Sequence, residues 1–575
     1  MTTPKTTNSE HQTPPSSNAR ETINQQRRGP LQGRIVRFGT RVLLLTGAYT
    51  LAKNVALLYW NRQTRLASNA SAGTSNKLRL DLTKPLVDVQ TASSLFKKKL
   101  SLYDTIECIQ SAAQDPRIQV LELHIQDPGS VATAQELREA LREYKASGKA
   151  AVAYANSLSQ TGYYVASECD KIVAEPSSEM KFIGFSAEQF FVKNFLEKMK
   201  IDLTVTRNTE YKSMPDVVLR SDFSEQTKQQ LQNILSRMGN QILNGVAESR
   251  SVPVSLVNKW WNNGPYLGIE ALKEGMVHEL GFVNPLEKCH HGMIYHRGIK
   301  KNPLTSSSPL SPSKIAMIAT QGSISEMGAV NSKKFIRALA QVKADKNVKA
   351  LIIRVNSPGG AVDESDRIRN AIVEYQKTNI PVIVSFGGVA ASGGYWISTS
   401  ADHIISNPGT VTGSIGVFSI FPHFGRLLED YGVTTDVIKT TDNSNVMSPF
   451  HPNANTTKLL EKQAIEKRFQ EIVSEGRKMP MEKAVSLATG QVFLGEEALK
   501  LGLVDSLGGL SSAKRKAEEL AGITGAKVQV FSGTTLFEEL SGAFGVRGFQ
   551  KTMTKMIISQ LPFQIGHNAR IDWKQ

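Results

Sequence analysis

Apolar positions along the chain follow two rhythms. Residues 349–355 (KALIIRV) and 381–386 (PVIVSF) are β-branched runs of strand length, with Gly or Pro close by. Between them, VDESDRIRNAIVEYQKT (362–378) places Ile368, Ala371, Ile372 and Tyr375 at helical spacing. Strand, helix, strand in that order predicts parallel strands joined by a right-handed crossover. Longer helical stretches follow near 224–250 and 456–488.

This pattern is written twice. TGYYVASECDKIVAEPSSEMKFIGFS (161–186) matches GGYWISTSADHIISNPGTVTGSIGVFS (393–419), with Tyr163 on Tyr395, Asp170 on Asp402, Pro176 on Pro408 and Gly184 on Gly416. Each pair is 232 positions apart, and the same offset carries Leu196 onto Leu428. DPRIQVLELHIQDPG (115–129) returns as DKNVKALIIRVNSPG (345–359), and GIEALKEGMVHELG (268–281) as GEEALKLGLVDSLG (495–508). A tandem duplication covers about 78–300 and 314–532. The expected layout is a first domain at 78–304, a polar, proline-bearing linker at 305–313, a second domain at 314–540 and a carboxy-terminal extension at 541–575.

The amino end departs from this alternation. Residues 1–33 are rich in Ser, Thr, Pro, Asn and Gln and read as a disordered tail. The run at 42–60, VLLLTGAYTLAKNVALLYW, reaches ~28 Å as a helix, about one hydrocarbon thickness. Arg27, Arg28, Arg34, Arg37 and Arg41 precede it, and Arg62 and Arg65 follow. The positive-inside bias then keeps the amino end inside and sends the body across. Lys53 within the run weakens a span, so an interfacial helix or a processed organelle leader are the alternatives.

Composition narrows the classes. The chain has 575 residues, 40% hydrophobic and 21% charged, which excludes a disordered or multi-span membrane protein. The net charge of +16 is concentrated at the amino end, and no basic stripe with interleaved aromatics follows. Nucleic acid is therefore not an expected partner. Three cysteines exclude a disulfide scaffold, and Cys289, His290 and His291 are too close together for a zinc pattern. Neither metal nor cofactor is expected.

Candidate chemistry sits in the second half. Gly-rich turns follow two strands: Asn356-Ser357-Pro358-Gly359-Gly360 and Ala390-Ala391-Ser392-Gly393-Gly394. Such turns leave backbone N–H groups free to face a ligand. A helix is expected to begin at Ser392, which reads either as a nucleophile or as an N-cap hydroxyl. The repeat tips the balance toward chemistry. Ser392 falls on Gln160, Gly393 on Thr161, and QDPGS (126–130) lacks the second glycine of NSPGG. A serine nucleophile needs a base. None of the ten histidines stands in a triad context, and His403 reads as a packed or edge residue of a strand. A lysine would have to lose about 3 pKa units by burial to serve.

IIRVNSPGG (352–360), GGVAASGGYWIS (387–398) and NPGTVTGSIGVF (407–418), with the duplication, resemble peptidase family S49, the signal peptide peptidase A (protease IV) family, in its long double-domain form. The resemblance spans about 78–540. It implies a ClpP/crotonase-like unit used twice and a Ser-Lys dyad split between the halves. Ser392 would be the nucleophile. Lys212, in Glu210-Tyr211-Lys212-Ser213, would be the base, from the same chain or a neighbour; its repeat partner is Ser444. Gly359 or Gly360, with Gly393, would form the oxyanion hole, and Ser414 would orient the lysine. The resemblance also implies peptide substrates such as signal-peptide remnants, a lipid bilayer and a homo-oligomer, a tetramer in the family. A crotonase-type acyl-CoA enzyme and an inactive scaffold are the competing classes. The first should carry an acidic base, and the second should have lost Ser392 or Lys212.

Overall fold

Short β-branched runs spaced by amphipathic helices can pair in parallel, because each crossover helix returns the chain to the same end of the sheet. The computed structural model describes residues 76–90, 100–207, 209–284, 287–301, 313–453, 455–457 and 463–533. The expected tail, the 42–60 run, all of the linker but Ser313 and the 541–575 extension lie outside them. Among the described residues, no helix is long and apolar enough to cross a membrane.

The first half forms β1 (Lys77–Leu82), β2 (Val120–Ile125), β3 (Ala150–Ser159), β4 (Lys171–Lys181), β5 (Asp202–Arg207), β6 (Tyr266–Leu267), β7 (Glu279–Leu280) and β8 (His290–His291). The second forms β9 (Lys314–Gln321), β10 (Val348–Ser357), β11 (Val382–Ala391), β12 (His403–Ser406), β13 (Val411–Gly413), β14 (Phe418–His423), β15 (Val492–Leu494), β16 (Ser506–Leu507) and β17 (Lys527–Val530). One sheet runs β6-β4-β3-β2-β1-β8 and the other β15-β13-β11-β10-β9-β17, the same order twice. Their central strands are parallel, with Leu78 opposite Leu121 and Leu351 opposite Val382. The expected α/β duplication is the architecture.

Helix ends follow local chemistry. Ser101 and Asp104 close a capping box at Leu102–Gln114, and Ser130 caps Val131–Ala146. Ser224 caps Glu225–Arg250, as the 224–250 pattern predicts. The 456–488 stretch differs from expectation. It carries separate helices at Gln463–Gly476 and Met481–Leu487, with Pro480 at the N-cap of the second. A proline there has no N–H to continue the first helix.

Two features join the halves. Met317, Ile352, Ile383 and Ile405 of the second sheet lie in one buried cluster with Leu121, Leu137 and Leu141 of the first half. At its edge Arg354, fully buried, meets Glu136 at 2.6 Å and Asp88 at 3.1 Å. Separately, β5 pairs antiparallel with β14, Val205 opposite Ile420 and Asp202 opposite His423. This two-stranded ribbon pairs a strand of the first half with one of the second, just ahead of Lys212 in the chain.

Candidate active site

β11 ends at Ala391, and the next residue turns sharply. Ser392 has φ 53° and ψ −119°, a backbone strained for any residue with a side chain. Its N–H donates to the Gly413 carbonyl at 2.9 Å, which pins the turn to β13. The helix that follows, Gly393–Trp396, is only four residues long, and Ser392 makes no capping bond to it. A helix thus begins at the expected place, but the N-cap reading of the Ser392 hydroxyl does not hold. The first half shows what an ordinary serine does at this junction. Ser159 is extended, at φ −70° and ψ 167°, and its hydroxyl accepts from Gly162 N–H to cap Gln160–Ala166. Gln160 stands where Ser392 does and merely opens that helix.

The Ser392 hydroxyl faces Lys212 instead. Lys212 follows β5 and reaches into the second half, where its Nζ lies 3.0 Å from Ser392 Oγ. The same nitrogen donates to the Ser414 carbonyl at 2.7 Å and to Ser414 Oγ at 2.9 Å. The residue is 4% exposed, and burial alone pushes its amine down from 10.5 to about 7. A neutral amine has two N–H donors and one lone pair. With both donors spent on Ser414, the lone pair is left for the Ser392 hydroxyl proton. Ser414 itself sits at φ 51°, its N–H held by the Gln491 carbonyl at 2.7 Å.

The glycines divide. Gly359 N–H donates to Ser357 Oγ at 3.2 Å. Gly360 and Gly393 N–H have no acceptor among the described residues. A Cβ built on Gly393 would stand 2.6 Å from Ser365 Oγ and 3.1 Å from the Gly360 nitrogen, so the two glycines lie close together. Gly360 has no room for a side chain: a Cβ there would come within 1.9 Å of the Ile324 carbonyl oxygen. Ile324 grips this turn from both sides, donating to Gly359 O and accepting from Ala361 N–H.

Other residues weighed from sequence lie elsewhere. His403 is in β12, its Nε2 2.9 Å from Ser506 Oγ. His290 and His291 form β8 beside β1, and Cys289 Sγ is 4.0 Å from His291 Nε2. Sequence reasoning missed Thr489-Gly490-Gln491, which lies against both the lysine loop and the Ser414 turn. Its only mark in the sequence is one glycine ahead of VFLGEEAL.

The model of Peptidase family S49 matches residues 143–289 and 374–524, and that of Clp protease matches 314–408. Protease 4 of Haemophilus influenzae is 34% identical over 455 residues, covering 74% of this chain and 73% of that protein. Protease 4 of Salmonella typhi is 29% identical over 497 residues, covering 79% and 80%. The Arabidopsis thaliana protein named Serine protease SPPA, chloroplastic, is 30% identical over 514 residues, covering 83% and 75%. With a family match in each half and relatives alike over most of their length, the chain belongs to peptidase family S49 and is a serine peptidase.

Proposed function

We propose that this serine peptidase works through a Ser392–Lys212 dyad and cleaves short apolar peptides, such as signal-peptide remnants, at a membrane. The observation that carries the dyad is the buried Lys212 Nζ, 3.0 Å from Ser392 Oγ, with no carboxylate among the causes of its lowered pKa. Ser392 Oγ attacks the peptide carbonyl carbon while its proton passes to the Lys212 lone pair. The carbonyl oxygen becomes an oxyanion and accepts from Gly360 and Gly393 N–H. Donors of this kind are each worth ~3–4 kcal/mol in acyl transfer. As the intermediate collapses, the C–N bond breaks and the lysine ammonium protonates the leaving amine. Water then attacks the Ser392 ester, giving its proton to Lys212; as the ester C–O bond breaks, the lysine returns that proton to Ser392 Oγ and the acid leaves. Ser414 holds the amine in line throughout.

A crotonase-type reading calls for an acidic base, and a lysine stands at this serine instead. The 42–60 run, preceded by five arginines within 27–41, supports membrane association with the catalytic body on the non-cytoplasmic side, or in an organelle membrane. Family resemblance supports a homo-oligomer. The 3.0 Å approach of Lys212 Nζ to Ser392 Oγ inside a single chain supports a dyad formed within one chain.

Ser392→Ala and Lys212→Ala are each expected to abolish hydrolysis of apolar signal-sequence peptides with the fold intact. Fluorophosphonate labelling should reach wild type and not Ser392→Ala. A Lys212→Ala enzyme within about threefold of wild-type kcat/KM, under ~0.7 kcal/mol, would show that the base is another group.

A further inference from the structure

The segment Thr489-Gly490-Gln491 is wedged between the two halves of the dyad. On one side Gly490 N–H donates to the Ile415 carbonyl at 2.9 Å, and the Gln491 carbonyl accepts from Ser414 N–H at 2.7 Å. These bonds extend the β13–β15 pairing, which ends with Gly413 opposite Val492. On the other side the Thr489 carbonyl accepts from Tyr211 N–H at 3.1 Å. The lysine loop of the first half is thus fastened to the strand end that carries Ser414.

Gly490 is where this stack is thinnest. Its φ is +81°, and a Cβ there would lie 2.7 Å from the Lys212 backbone nitrogen, 3.1 Å from Lys212 Cα and 2.7 Å from Thr209 Oγ1. The first two are main-chain atoms that no rotamer change can move. A Cβ on Gly416 would also meet Thr209 Oγ1, at 2.8 Å, with Gly490 Cα 3.5 Å away. Two glycines therefore pack against Thr209, and the residue three places on is the lysine. We infer that Gly490 is a positioning residue for the reaction: having no side chain, it lets the Lys212 loop close until the amine reaches Ser414 and Ser392. This rests on Lys212 being the base.

The consequence is readable because depth and charge are linked. Burial is the only cause of the low Lys212 pKa. The groups bonded to the amine are the Ser392 and Ser414 hydroxyls and the Ser414 carbonyl, and no charged group on any packed element contributes. A lysine lifted out of its seat regains water, and its pKa climbs back toward 10.5.

The test is the pH profile of kcat/KM for apolar-peptide hydrolysis by the full chain. Gly490→Ala and Gly490→Asn should both lose about tenfold or more at pH 7.5, with the ascending limb moved up by about one unit or more. Asparagine tolerates positive φ, so equal loss in both variants assigns the effect to the Cβ contact. Gly502→Ala is the control: its φ is +80°, yet nothing stands closer than 3.7 Å to a Cβ there, so its limb should stay in place. If Gly490 variants do not fold, Gly416→Ala, which touches only the Thr209 side chain within 3.4 Å, should raise the limb by a smaller step. A folded Gly490→Ala enzyme with an unmoved limb, or an unmoved limb in Gly416→Ala when that variant alone folds, overturns the inference. Activity surviving in Lys212→Ala would instead overturn the dyad beneath it.

Discussion

Between pH 7 and 10.5 an unfolded Lys212 holds a proton that the folded residue has lost, because burial acts on the amine without an opposing charge. The unfolded state binds more protons across that window, so stability rises with pH through it. Below about 7 the cost is present in full, on the order of 5 kcal/mol for a drop from 10.5 to about 7. Lys212→Met, similar in length and uncharged, should be inactive yet melt higher than wild type at pH 6–7. That gain should shrink as pH approaches 10.5; equal gains at pH 6 and 10 would contradict a burial-lowered amine. The same pKa sets the activity profile, a single limb rising through about pH 7 as the lysine becomes neutral. At this scale the sequence was informative about identity: Ser392 opposite Gln160 and Lys212 opposite Ser444 mark residues that one repeat keeps and its twin lacks. It left Gly359 and Gly360 undivided, because the Ser357 hydroxyl that occupies Gly359 N–H is a matter of turn geometry.

The element that delivers the lysine is the β5–β14 ribbon. DLTVTR and FSIFPH give only a weak strand signal, and nothing local says that they pair across 210 or more intervening positions. Antiparallel partners exchange hydrogen bonds at alternate residues, so one of two neighbours on β5 must donate to β14. Proline at that residue removes the bond. Of Thr204→Pro and Val205→Pro, at least one should reduce kcat/KM nearly as far as Lys212→Ala, while far-UV circular dichroism stays close to wild type. Full activity in both would mean that the lysine loop is seated without the ribbon. The 456–488 stretch teaches a complementary point. Its apolar spacing predicts one helical region, and Pro480, which has no N–H to continue a helix, stands between the two that form.

At the scale of the molecule, one face of the second sheet shares a hydrophobic core with the first half, while its other face packs in a cluster of its own. The face of the second sheet built from Met317, Ile352, Ile383 and Ile405 is completed by first-half side chains, and Arg354 finds its carboxylates in Asp88 and Glu136. Removing one partner of such a buried pair typically costs ~3–5 kcal/mol. Residues 314–575 alone should therefore be inactive on two counts, lacking Lys212 and exposing that face. Co-expression with residues 76–301 should restore both solubility and hydrolysis, as read by size-exclusion chromatography and a peptide assay. A fully active isolated second half would sink the split site. The sequence shows two similar units joined by a linker. Their shared core depends on faces whose partners lie hundreds of residues away.

Periodicity, turn residues and self-similarity were enough to determine the α/β class and the duplication and to single out Ser392 against Gln160, whereas Lys212 came from the resemblance to family S49. Burial depends on everything that folds around a residue. Only the tertiary structure decided that Lys212 is dry enough to be neutral near pH 7, that Ser392 caps nothing, and that Gly360 rather than Gly359 leaves its N–H free. It also decided that a loop at Gly490 closes the space between the halves, since a missing side chain matters only where another backbone comes to rest against it.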